Sequence, residues 1–294
     1  MTRTALAGLL IASAVSVVTL QAARAEFGRV PAAPAQTAVI RSAALIGRAA
    51  LSYRPLVADV YWLRTLQHYG RTKLSKDPHK QYNLLEPFLD LTTSLDPRFN
   101  AAYRFGAIFL SEPFPDGPGR PDQAIALLEK GLREQPGKWE YVYDIGFVEY
   151  WWRGNFQVAA RRFQEAAGLP GGPSWLGPLA AVTLAQGGDR RSSRQLWRQV
   201  RESADADWLV KSAEHRLAQL DAMDQMDRLE AALGQASLRL GRSPGDWRDV
   251  VAAGVLRGVP LDPTGVPFVV RPDGHVGLRR DSTLNPLPTL GGRR

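Results

Sequence analysis

Four histidines, His68, His79, His215 and His275, stand apart with no HExxH-type spacing, so the imidazole pair that holds zinc on one helix face is missing. Cysteine is absent. That removes disulfides, thiolate metal sites, a cysteine nucleophile and a lipid-modified cysteine. Gly117-Pro118-Gly119 and Gly171-Gly172-Pro173 are glycine-rich, yet neither leads into the Lys-Ser/Thr or helix opening of a phosphate loop. Asp221, Asp224, Asp227 and Glu230 recur every three residues along one side of a helix. Calcium needs oxygens converging from a loop, so this row reads as a solvated acidic face, or alternatively as a docking strip for a basic partner. Arg190, Arg191, Arg194, Arg198 and Arg201 likewise read as solvated. No nucleophile with its base, carboxylate pair, metal set or cofactor cradle emerges. The expectation is a binding module rather than an enzyme, with no cofactor.

Binding surfaces are marked by aromatic residues, and Tyr150-Trp151-Trp152 is the strongest such signal. Three consecutive residues of a helix point in three directions about 100° apart, so one apolar stripe cannot bury all three rings. An exposed ring tends to mark a partner surface. Charge narrows the kind of partner. The chain of 294 residues carries a net charge of +8, but residues 1–54 hold six Lys/Arg against one acid and residues 271–294 hold five against two. The stretch 55–270 holds 26 of each sign. A nucleic-acid domain places its positive charge on the folded face that follows phosphates, so a neutral middle argues against nucleic acid.

The N-terminus reads as an export signal: Arg3, the 16-residue uncharged run Ala5 to Leu20, then Ala23-Arg24-Ala25 ahead of Glu26. The run falls short of the about 20 residues that span a bilayer. Residues 1–25 are therefore expected to be a signal peptide cleaved after Ala25, or a signal anchor if Gln21 to Ala23 extend the run. Either outcome places the chain outside the cytoplasm, with membrane contact only through this segment. Residues 26–55 read as a linker, with Ala/Pro-rich Val30 to Gln36, and a leading helix.

From Leu56 onward apolar residues recur at helical spacing. Ala102-Tyr103-Arg104-Phe105-Gly106 and Val142-Tyr143-Asp144-Ile145-Gly146, forty residues apart, share Tyr-x-apolar-Gly, and each precedes a second helical segment, Gln123 to Arg133 or Phe156 to Ala167. The second segments carry Ala124-x3-Leu128-x2-Gly131-x4-Pro136 and Ala159, Phe163 and Ala166. These residues resemble the tetratricopeptide repeat, in which small residues let two antiparallel helices approach closely. Trp175, Leu179, Ala180, the Gly187-Gly188-Asp189 turn, Ser193, Trp197 and Val200 read as a third unit. Trp62, Leu66 and Tyr69 with Leu85, Leu89, Thr92 and Pro97 read as a leading unit, and Trp208, Ser212 and His215 with Ala222 to Leu240 as a closing one. The expected fold is all-α, a right-handed solenoid of about five such hairpins over residues 56–240. The resemblance implies a concave groove lined by the first helix of each hairpin, here by Tyr103, Arg104, Ala107, Tyr143, Phe147, Tyr150 and Trp151.

Past Gly241 the pattern changes. Over residues 241–280 a short helix with Trp247, Val250, Val251 and Val255, ending near Gly258, precedes a hairpin reversed at Asp273-Gly274. Pro260-x-Asp262-Pro263-x-Gly265-x-Pro267-Phe268 resembles a string near the C-termini of bacterial envelope tetratricopeptide proteins. It reads as a cap on the open end of the solenoid or as a docking element. Residues 281–294, rich in proline, glycine and terminal arginine, are expected to be a disordered tail. The resemblance implies a periplasmic protein-protein interaction scaffold that holds a peptide or helix of a pilus, secretion or transport component. An accessory subunit of an envelope enzyme complex is the alternative.

Overall fold

The computed structural model describes residues 13, 15–17, 19–20, 46–48 and 50–289. The chain divides into two compact units, Met1–Arg48 and Ala49–Arg294. In the first, residues 15–17, 19–20 and 46–48 are helical, and Thr19 donates through Oγ1 to the carbonyl of Val15 at 2.9 Å. The Ala23-Arg24-Ala25 motif and the Val30 to Gln36 linker lie outside the described residues. Among the described residues no helix is long and apolar enough to cross a membrane.

The second unit is mostly helical: α1 Arg54–Leu74, α2 Leu85–Leu95, α3 Asn100–Ser111, α4 Pro121–Glu134, α5 Trp139–Trp151, α6 Phe156–Gly168, α7 Leu176–Gln186, α8 Arg190–Ser203, α9 Asp207–Leu240 and α10 Trp247–Ala252. Proline sits in the first turns of α1 and α4, where the amide it lacks has no helical partner. Asp189 and Asp246 cap α8 and α10 by accepting from the amides of Ser192 and of Arg248 and Asp249. Gly154 and Gly188 take positive φ of 63° and 82° in the tight turns between α5 and α6 and between α7 and α8, a conformation that costs other residues about 1 kcal/mol or more.

From α1 to α9 each helix packs on the next, and α3 also touches α5 while α2 touches α4. The core follows this chain of contacts. Tyr69, Leu89, Tyr103, Leu128, Tyr141 and Ile145 join α1 to α5, Ala159, Phe163 and Ala180 join α6 to α7, and Ala181, Trp197 and Ala213 join α7, α8 and α9.

Three expectations are corrected. The closing hairpin does not form, because α9 is one unbroken helix of 34 residues. Between Asp207 and Leu233 it contains neither glycine nor proline, and its Ala, Leu, Met, Gln and Glu are strong helix formers. The acidic and basic rows are solvated only in part: Asp221, Asp227, Glu230, Arg191, Arg198 and Arg201 stay exposed as expected, but Arg190 and Arg194 turn towards the acidic row and pair with it. Arg190 binds Asp224 at 3.2 Å and also Asp227, and Arg194 binds Asp221 at 3.1 Å and also Asp224. Burial works against the Asp224 carboxylate, yet the hydrogen bonds from Arg194 and Arg190 hold it below its ordinary range.

Residues 281–289, read as part of a disordered tail, lie against α9. Leu284 is 1% exposed, and Gln219 Nε2 donates to the carbonyls of Leu284 and Pro286 at 2.8 and 2.9 Å. The hairpin forms as expected, with β1 Val269–Val270 antiparallel to β2 Val276–Gly277 and Gly274 at φ 81° in the turn. Helix α10 ends at Ala252, six residues before Gly258. Its Trp247 joins Phe268, Val276, Leu278 and Leu284 in an apolar cluster over Leu229, Leu233 and Ala236 of α9. Leu284→Ala is expected to cost about 2–5 kcal/mol, read as a lower unfolding midpoint in denaturant; a midpoint equal to wild type would place this segment off α9.

Candidate functional site

The residues singled out from the sequence separate into two environments. Tyr103 does not line a groove. It is fully buried, its ring 5.2 Å from that of Tyr141 and its hydroxyl directed at the Thr93 carbonyl at 3.4 Å. Burial pushes the phenol up to about 12. Gly131 explains the inward turn, since a Cβ there would lie 3.0 Å from the Tyr103 ring and 2.8 Å from that of Tyr141. With Tyr103 inside, α3 presents Arg104, Phe105 and Ile108 outward, and Phe105 is 53% exposed. Ala107, also placed in the groove by the resemblance, is buried.

On α5 the expected residues do come together. Tyr143, Phe147 and Trp151 follow one another at four-residue steps and so share a face. Phe147 lies 6.4 Å from Tyr143 and 6.1 Å from Trp151, nearly parallel to the latter at 8°. Trp175, just before α7, meets Tyr143 edge-on at 5.5 Å. The result is a continuous band, Trp175-Tyr143-Phe147-Trp151. Its ends are exposed and its middle half-buried. Of the three consecutive aromatics, Trp152 turns towards the core against Phe147, and Tyr150 is half-buried and donates to Gln186 Oε1 at 2.8 Å. Trp151 is 53% exposed.

Arg104 of α3 and Asp144 of α5 occupy equivalent positions forty residues apart and form a two-pronged pair, Nε to Oδ2 at 2.6 Å and Nη2 to Oδ1 at 3.1 Å. Asp144 is the more enclosed partner, with its side chain 15% exposed. Burial raises its carboxyl above the ordinary range despite the pull of Arg104. The band thus has a fixed charge pair beside Tyr143, and it offers large apolar ring faces with hydrogen-bonding groups next to them.

Phe105, Ile108 and Trp175 were not among the residues chosen from the sequence. The signal was present in α3, where Tyr103, Phe105, Ile108 and Phe109 together exceed what one buried stripe can hold. Among the described residues no group of three or more His, Asp or Glu side chains could hold a metal ion. The half-buried ring of His68 lies edge-on to Phe88 at 6.1 Å, and burial, with Arg71 nearby, lowers its pKa. Comparison of the chain with protein families, with curated proteins and with solved structures returned no match.

The Arg104–Asp144 pair sets a pH dependence with a definite sign. A carboxyl whose folded pKa lies above its unfolded value loses stability on ionising, so its contribution falls as pH rises through the folded value. Arg104→Met removes the compensating cation and raises the folded value further. Its loss of melting temperature should therefore be large at about pH 8 and shrink towards about pH 5, as the carboxyl takes up a proton. Asp144→Asn, which leaves only a part-exposed guanidinium unpaired, should cost less at about pH 8. Equal deficits for Arg104→Met at both pH values would contradict the assignment.

Proposed function

We propose that this chain is a non-catalytic scaffold of the tetratricopeptide type that works in the bacterial cell envelope and holds a peptide or helix of a protein partner against the band on α5. In this reading α1/α2, α3/α4, α5/α6 and α7/α8 are four hairpins of a right-handed solenoid, and α9 with the C-terminal segment closes one end. The apolar run Ala5 to Leu20 directs the chain out of the cytoplasm, and it is then cleaved or retained as an anchor in the inner membrane.

The observation that carries the reading is the Trp175-Tyr143-Phe147-Trp151 band. Isolated surface apolar residues are ordinary, whereas contiguous ones mark contact surfaces. Aromatic side chains offer large area with few rotors to immobilise, which suits an extended or helical segment laid across a helical face. The stepwise packing from α1 to α9 supports the repeat reading, because repeat arrays are built from nearest-neighbour contacts.

Affinity purification from detergent-solubilised envelopes, comparing wild type with a Phe147→Ala/Trp151→Ala double variant, tests this. Wild type should retain an envelope protein that the variant binds with a loss of about 2 kcal/mol or more, roughly thirtyfold in Kd. Because Phe147 also packs on Trp152, a Trp151→Ala single variant, at a position 53% exposed, is compared as well, and it should weaken retention while its thermal unfolding stays close to wild type. Equal retention of that protein by wild type and both variants would overturn the site, and turnover of a substrate by the purified chain alone would overturn the scaffold reading.

A further inference from the structure

Helix α1 carries an apolar face that no neighbour among the described residues covers. Leu56, Val60 and Leu63 are 60, 43 and 56% exposed, although α1 buries Ala58, Thr65 and Tyr69 on its other side. The spacing on the open face is regular. Tyr53, Leu56, Val60, Leu63, Gln67, Gly70 and Leu74 alternate at steps of three and four, the a/d seam of a heptad repeat. Tyr53 enters from the short 3-10 turn Leu51–Tyr53 and Leu74 closes the helix, both exposed.

The seam has features that select its occupant. It places β-branched Val60 at an a position and Leu56 and Leu63 at d, the combination that favours two parallel strands. Gln67 supplies one polar residue at a, a device that fixes register and strand number. The flanks are complementary. Asp59 falls at g and Arg64 at the following e, five residues apart on opposite edges of the seam. In a parallel pair each g residue meets the partner's e residue of the next heptad, so Asp59 of each chain faces Arg64 of the other. Neither charge has an opposite charge three or four positions away on its own helix; the Arg64 guanidinium lies over the Tyr61 ring, 5.4 Å from its centroid, an interaction that leaves its charge without an anionic partner. Antiparallel pairing brings like flanks together and sets Arg64 near a second Arg64.

We propose that α1 pairs with α1 of a second copy of this chain as a parallel, two-stranded coiled coil along Leu56, Val60 and Leu63, with reciprocal Asp59–Arg64 contacts. The apolar part of the seam is about two heptads long, so the buried area lies near the low end of specific interfaces, about 1,000 Å² in total. The pairing is therefore reversible and concentration-dependent. It uses a face of α1 that carries none of the α5 band residues, so it stands or falls separately from partner capture.

The absence of cysteine in the chain makes a direct test available on the full-length protein in intact cells. Leu56→Cys and Leu63→Cys, each introduced singly at exposed positions outside the core, are oxidised and the chain is followed on non-reducing gels. In a parallel, in-register pair every seam position meets itself, so both variants should form disulfide-linked homodimers, severalfold above a Leu238→Cys control that is 87% exposed on α9. Asp59→Arg should reduce cross-linking through Leu63→Cys, and adding Arg64→Asp to the same chain should restore it. Homodimers from only one of the two positions would indicate an antiparallel or shifted pairing and overturn the proposal. Levels no higher than the control, the result expected if another protein, lipid or another part of the chain covers this face, would overturn it as well, as would failure of the charge exchange to restore cross-linking.

Discussion

The distance between neighbouring helices is set where a backbone has no side chain to hold it off. A Cβ at Gly146 of α5 would lie 2.6 Å from Cε1 of Phe163 on α6, and one at Gly106 of α3 would lie 2.6 Å from Leu89 of α2 and 3.0 Å from Leu127 of α4. Gly131 of α4 receives both the Tyr141 and the Tyr103 rings. Large side chains lie directly over glycine backbone at each of these places, so helices approach closely while aromatic rings fill the space between them. The exposed aromatic band is a by-product of this arrangement. Once Phe163, Tyr141 and Tyr103 take the buried places, Trp151 and Phe105 remain exposed on α5 and α3, and Phe147 is only half-buried between them and the core.

The second unit closes with polar chemistry of a different kind. Asp262, 5% exposed, accepts from the amides of Thr264 and Val266 at 2.8 and 3.0 Å, from the Thr264 hydroxyl at 2.7 Å and from the Ser282 hydroxyl. Burial opposes its ionisation, but these donors outweigh burial and hold the carboxyl below its ordinary range. The loop after α10 is thereby tied to the segment around Leu284, and Trp247 Nε1 donates to the Phe268 carbonyl at 2.8 Å to join helix and hairpin. Residues 260–289 thus form an ordered cover on α9 despite their proline content, because each chain reversal is anchored by an internal acceptor.

Much of this was legible in the sequence where the cause is local. The Tyr-x-apolar-Gly spacing identified α3 and α5, the Gly187-Gly188-Asp189 turn marked the reversal between α7 and α8, and Asp273-Gly274 placed the hairpin, since each depends on residues a few positions apart. Long-range pairings left no comparable trace. Asp221, Asp224 and Asp227 look solvated until α8 brings Arg190 and Arg194 against them, 27 to 37 residues earlier in the chain. The backbone around Leu284 is likewise held by Gln219, 65 residues away. On α3 the local pattern misled, because the Tyr of the repeat was assigned to the groove although Gly131, on the next helix, makes room for it inside. The continuous α9 was divided because a repeat pattern was carried past the last glycine turn into a stretch with nothing to break a helix.

The most direct test of the close approach at glycine is thermal and chemical unfolding of Gly146→Ala beside Gly234→Ala. Both glycines are inside helices, where alanine is intrinsically favoured by about 1 kcal/mol. A Cβ at Gly234 meets nothing within 4 Å, so that substitution should raise stability. At Gly146 the added methyl meets the Phe163 ring, and an overpacking cost of about 1–3 kcal/mol set against the propensity gain of about 1 kcal/mol should leave the protein up to about 2 kcal/mol less stable than wild type and clearly below Gly234→Ala. A Gly146→Ala protein as stabilised as Gly234→Ala would show that α5 and α6 are not held at contact there, and would contradict the packing on which the exposed aromatic band depends.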